Sequence, residues 1–102
     1  MKVIQVEMWA FQNGVIREVR IPDEACGSAD EMLNAVYHFG QNDIQPVEGR
    51  CSVSVGDVIL LDGERYLVMV CGFTKMSAQD YGQYLASSSV GRISRSLRNG
   101  SK

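Results

Sequence analysis

The sequence predicts an α+β fold in the order ββαββα, with a mostly antiparallel sheet built from two hairpins and covered by one main helix. Three observations carry this prediction: Asp62-Gly63 between two apolar runs, Asn13-Gly14 between two alternating runs, and a Ser28-x-x-Glu31 box opening a helical stripe. Turn chemistry on either side of a segment whose apolar period changes from two to 3.6 is what strands packed beneath a helix require.

From the N-terminus, Lys2 to Phe11 places Ile4, Val6, Met8 and Ala10 on one side and Gln5, Glu7, Trp9 and Phe11 on the other, which is strand periodicity. After Asn13-Gly14, residues 15–21 alternate again, with Val15, Val19 and Ile21 opposing Glu18 and Arg20. Pro22 has no N–H to give a ladder, so the chain leaves the sheet there. Ser28 and Glu31 then form a capping box, and Ala29, Met32, Leu33, Val36 and Tyr37 recur as one apolar stripe. Gly40 is placed to stop this helix in a left-handed conformation.

A connection from Gln41 to Gly49, containing Pro46, is kept at the surface by Asp43 and Glu48. Arg50 to Lys75 reads as one hairpin. Asp62-Gly63 suits a two-residue type I′ turn, which needs two positive φ angles, and sets Leu61 opposite Glu64, Ile59 opposite Tyr66 and Val58 opposite Leu67. Both faces of this hairpin are mostly apolar, which places it centrally in the sheet, with Cys71 inside its second strand. Gly56-Asp57 makes the bend that feeds it, with the Ser54 and Asp57 side chains accepting backbone N–H groups, and Gly72 is a bulge or close-packing point. Ser77 caps a second, short helix that ends at Ser87-Ser88-Ser89. The expected organisation is a single domain over 1–87 and a basic, disordered tail over 88–102.

Composition narrows the function classes. The 102 residues suffice for one core without disulfides or metal, and no apolar run approaches the roughly 20 residues needed to cross a bilayer, so a cytoplasmic protein is expected. Cys26, Cys51 and Cys71 are too widely spaced for a zinc knuckle and read as reduced thiols, and His38 lies off the helical stripe. With no nucleophile–base pair, metal cluster or phosphate-cradling loop, neither an enzyme nor a cofactor is expected. Residues 1–87 carry all twelve acidic and six basic side chains, a net of −6, whereas Arg92, Arg95, Arg98 and Lys102 make the remainder wholly basic. That tail could contact phosphates, which gives the alternative reading of a nucleic-acid-associated accessory protein, although the acidic body repels the same backbone. Ser52, Ser54 and Asp57 form a candidate polar group at the hairpin mouth, but no histidine or lysine beside them in sequence activates it.

The run Cys51 to Ile59, with Ser52, Ser54, Val55, Asp57 and Val58 in a Ser-x-Ser-Val-x-Asp-Val block, followed by Asp62-Gly63, Tyr66 and Gly72-Phe73, resembles the C-terminal signature of YodL-like domains. The resemblance covers about 25 residues. It implies an origin on a phage or other mobile element and a protein-binding role, the modulation or inhibition of a bacterial host protein such as a defence complex. Cys51 and the arginine-containing tail depart from the family's pattern. The surface expected to carry binding is acidic, formed by Asp23, Glu24, Asp30, Glu31, Asp43 and Glu48, with Trp9 or Phe11 as an aromatic anchor. A homodimer through whichever hairpin face the helices leave uncovered is a further expectation.

Overall fold

The computed structural model describes residues 1–94, which form a five-stranded antiparallel sheet and two helices. β1 (Lys2–Met8) and β2 (Val15–Ile21) make the N-terminal hairpin, and a 3-10 turn at Asp23–Ala25 leads into α1 (Ala29–Phe39). β3 (Val58–Leu61), β4 (Glu64–Met69) and β5 (Gly72–Met76) then form a meander that runs into α2 (Ala78–Ser94). Strand order is β2-β1-β3-β4-β5, so β3 is central and pairs with β1 through Val6 and Ile59.

The Asp62-Gly63 turn and the Ser28 cap act as the sequence predicts. Asp62 (φ 50°) and Gly63 (φ 80°) are both left-handed, and the β3–β4 register is the one that a type I′ turn dictates, Leu61 with Glu64 through Val58 with Leu67. Glu31 N–H donates to Ser28 Oγ at 3.2 Å, and Ser28 N–H donates to Glu31 Oε1 at 2.9 Å, which completes the capping box of α1.

Several expectations are corrected. β1 stops at Met8 rather than Phe11, because Asp57 Oδ1 takes the N–H groups of Trp9 (2.7 Å) and Ala10 (2.8 Å) that a longer strand would give to its ladder. The loop closes through Gly14 (φ 79°), which donates to Met8 O and lies so close to the Trp9 indole that a Cβ would come within 2.7 Å of Cζ2. Arg50 to Lys75 holds two hairpins that share β4, so the sheet has a fifth strand. Cys71 therefore sits exposed in a turn with Val70, and Gly72 (φ 115°) opens β5 rather than forming a bulge.

Gly40 is not left-handed (φ −80°). A glycine is needed there because a Cβ would press on the Val53 side chain and stand 2.6 Å from Val36 O. The buried stripe of α1 is Met32, Leu33, Ala35 and Val36, while Ala29 and Tyr37 are exposed, so α1 is rotated slightly from the predicted face. α2 continues through the serine run to Ser94, since serine costs an already nucleated helix only a fraction of a kcal/mol per residue, up to about 0.7.

The core lies between α1 and the β2-β1-β3 side of the sheet, where Ile4, Val6, Val19, Ile21, Ile59 and Leu61 meet Leu33, Val36 and Val53. Alternation along β2 puts Arg17, opposite Val6, on this same inward face, and it is 1% exposed. Its Nη1 donates to Asn42 Oδ1 and Cys51 O, both at 2.8 Å, and its Nη2 donates to Gln45 O. The guanidinium thereby fastens the long connection between α1 and β3 to the sheet. That connection also covers the β2 edge: Gln45 bonds both Arg20 N–H (3.0 Å) and Arg20 O (2.7 Å), and Arg50 Nε donates to Ile16 O at 2.8 Å. Among the described residues no helix is long and apolar enough to cross a membrane.

Candidate interaction site

The six acidic residues expected to form one surface are all exposed, but the fold divides them. Asp23, Glu24, Asp30 and Glu31 lie before and at the start of α1, whereas Asp43 and Glu48 lie in the connection after its end. An 11-residue helix, about 16 Å long, separates the two groups. Asp23 also holds the N-terminal ammonium, which is raised above its ordinary value mainly by that hydrogen bond, and Glu31 belongs to the cap.

A different cluster forms where the β1–β2 loop, the bend before β3 and the β4–β5 turn come together. Asp57, 1% exposed, is its organiser: besides Trp9 and Ala10, its Oδ2 accepts Ser54 N–H at 2.8 Å. Burial pushes the Asp57 carboxyl above its ordinary value, and the three N–H donors pull it back in part. Ser54 does not accept a backbone N–H as expected; its Oγ donates to Ser52 O at 3.1 Å, while Ser52 Oγ accepts Asn42 N–H at 2.9 Å. These side chains are taken up in holding the bend.

The bend in turn pairs with β4, Gly56 N–H donating to Val68 O and Val68 N–H to Asp57 O, each at 2.9 Å. Beside it is a cleft of about 220 Å³ between α1 and the β4–β5 hairpin, lined by Asn34, Tyr37, Val55, Met69, Val70 and Phe73, with Val68 and Gly72 also contributing. Val70 is 83% exposed, and Val55 (47%), Met69 (43%) and Tyr37 (40%) leave further apolar surface around it. α1 covers β2 and β3 but makes fewer contacts with the β4–β5 side, which is why this end of the sheet face stays open.

On the opposite face, α2 is held by tyrosines. Tyr81 Oη donates to Glu7 Oε1 at 2.6 Å, Trp9 Nε1 donates to the same oxygen at 2.9 Å, and Tyr84 Oη donates to Gly56 O. The Arg65 guanidinium stands 3.9 Å over the Tyr81 ring, with Nε 3.8 Å from Glu7 Oε2. Burial and then the Glu7 carboxylate raise the Tyr81 phenol above its ordinary value. A raised phenol contributes stability below its unfolded value and loses it as pH rises through the folded one. Replacing Tyr81 by phenylalanine is expected to cost about 1 kcal/mol. Amide exchange should then quicken in the first turns of α2 and stay unchanged in α1.

Trp9 is half-buried by Glu7 and Gly14, whereas Phe11, at 74% exposure, projects from the β1–β2 loop. His38 is exposed, its ring edge-on to Phe39 at 4.8 Å. Cys26, Cys51 and Cys71 are free thiols, and among the described residues no three His, Cys, Asp or Glu are grouped to hold a metal ion. Arg92 falls within α2, and Arg95, Arg98 and Lys102 lie outside the described residues. The apolar cleft was not foreseen from sequence. Its signal was the apolar pair Val70-Cys71 directly before Gly72, which can mark a turn as readily as a strand interior.

The chain matches no protein-family model, no curated protein and no solved structure with which it was compared.

Proposed function

We propose that this chain is a small, non-enzymatic protein-binding module, encoded by a phage or other mobile element, that modulates a bacterial host protein. The observation that carries the reading is Val70. A valine at 83% exposure on a two-residue turn, flanked by Met69, Val55 and Tyr37 around a cleft, is apolar surface where turns ordinarily carry polar residues. The hydrogen bonds of Asp57 and of the Gly56–Val68 pair hold this surface in one arrangement, so a partner would meet it preformed. The acidic group at the start of α1 serves in this reading to favour a basic partner and to speed encounter, with affinity coming from the apolar end.

The test compares the full chain with Val70→Asp as immobilised baits in nuclease-treated bacterial lysate. The substitution lies on an exposed turn and is expected to change stability by no more than about 0.5 kcal/mol. A host protein retained by the wild type, lost with Val70→Asp and still retained after deletion of residues 88–102 is the expected result. Retention that ignores Val70→Asp, or that is seen only in a parallel lysate left without nuclease, would favour the basic tail and a nucleic-acid partner instead.

A further inference from the structure

We propose that a second copy of this chain adds to β5, joining two five-stranded sheets into one across a two-fold axis at Thr74. The two edges of the sheet are treated differently. On β2, Gln45 and Arg50 occupy the outward backbone groups of Arg20 and Ile16. On β5 the outward groups can be identified from the register. Val68 turns both its N–H and its C=O towards Gly56 and Asp57, so its partner across the hairpin, Phe73, has no ladder bond to β4. Phe73 and Lys75 therefore present their N–H and C=O groups away from the sheet, while Gly72, Thr74 and Met76 bond inward to Met69, Leu67 and Arg65.

This edge is complementary to itself. An antiparallel copy centred on Thr74 sets Phe73 opposite Lys75 of the other chain, and the reverse, so the outward groups of both residues exchange hydrogen bonds in pairs. Thr74 then faces its own equivalent as a non-hydrogen-bonded pair, and threonine pairs are favourable in that position. The aliphatic stem of each lysine lies along a phenylalanine ring. Lys75, whose charge would otherwise guard an edge strand, is matched within its own chain by Glu64 at 3.7 Å. Closure by a two-fold axis uses up both open edges, and pairing in the sheet plane leaves Val70 and the α1 side of the cleft open.

Light scattering on the full chain between about 10 µM and about 1 mM should show the mass of two chains at the upper end. Lys75→Pro removes an outward N–H, together with the exposed ion pair to Glu64, and is expected to give a monomer with an unchanged circular dichroism spectrum. In a Cys71→Ser background, Thr74→Cys should form an intermolecular disulfide under mild oxidation, because the paired Cα atoms of a non-hydrogen-bonded site stand about 4.5 Å apart. A monomer throughout the concentration range, a dimer that a folded Lys75→Pro leaves intact, or failure of Thr74→Cys to cross-link would each overturn the proposal. If Lys75→Pro does not fold, the cross-link decides.

Discussion

Replacing Arg17 by alanine is expected to remove about 4 kcal/mol of folding stability, a large share of the roughly 5–15 kcal/mol that a domain of this size has. The side chain is fully buried on the core face of β2, and its two terminal nitrogens satisfy Asn42 Oδ1, Cys51 O and Gln45 O. Burial pushes the guanidinium below its ordinary value, yet an arginine stays protonated in the neutral range, so three charge-assisted bonds are lost at once. The three half-buried acceptors lose their donors inside the protein. Arg17→Met separates this effect from the cavity: it keeps most of the stem volume and is expected to lose at least half as much as alanine. Urea titration gives both values. Amide exchange should show the connection between α1 and β3 opening before the β1–β3–β4 ladder does, because Arg17 joins that connection to the sheet.

Asp57→Ala is expected to cost about 3 kcal/mol, since the Trp9, Ala10 and Ser54 N–H groups all lose their acceptor inside the protein. Asparagine is a sharper probe, because its amide can accept from Trp9 and Ala10 but turns an N–H₂ towards Ser54 N–H; about 1–2 kcal/mol is expected. The pH dependence has a definite sign. The Asp57 carboxyl is raised in the folded protein, so the stability linked to its protonation is complete below the unfolded carboxylate value and declines as pH rises through the folded one. The advantage of the wild type over Asp57→Asn should therefore be greatest in acid and shrink towards neutrality, read from urea midpoints at a series of pH values. A wild type and variant that keep a constant difference across that series would remove Asp57 from the pH response. In binding, either variant should weaken attachment through Val70 while leaving Val70 itself intact, because the bend that positions Val55 and the end of β4 would no longer be fixed.

The parts of the fold written in local chemistry could be read from the residues alone. Asp62-Gly63 specified its turn and, through the turn, the β3–β4 register; Ser28 and Glu31 specified the start of α1; Ile4, Val6 and Met8 specified the inward face of β1. Each of these depends on neighbours within a few positions in sequence. The fifth strand was legible in principle, but Val70-Cys71 resembles the apolar run it follows, and only the Gly72 backbone marks the reversal. Two positions carried a signal that alternation could have exposed. Arg17 occupies the inward slot between Val15 and Val19, and Glu7 stands on a face that looks solvent-bound until α2 folds across it.

By itself, the sequence determined an acidic α+β domain with two glycine-marked turns, a serine-capped helix over an antiparallel sheet, and a basic C-terminal stretch. The tertiary structure decided which strands are neighbours, where β1 ends, which sheet edge is covered, that the six carboxylates lie towards opposite ends of α1, and that Val70 and its cleft gather apolar surface in one place. The reason is range. Turns and caps are fixed by bonds between residues a few positions apart, whereas the contacts of Asp57 with Trp9, of Arg17 with Cys51 and of Tyr81 with Glu7 join residues that only the completed sheet brings together.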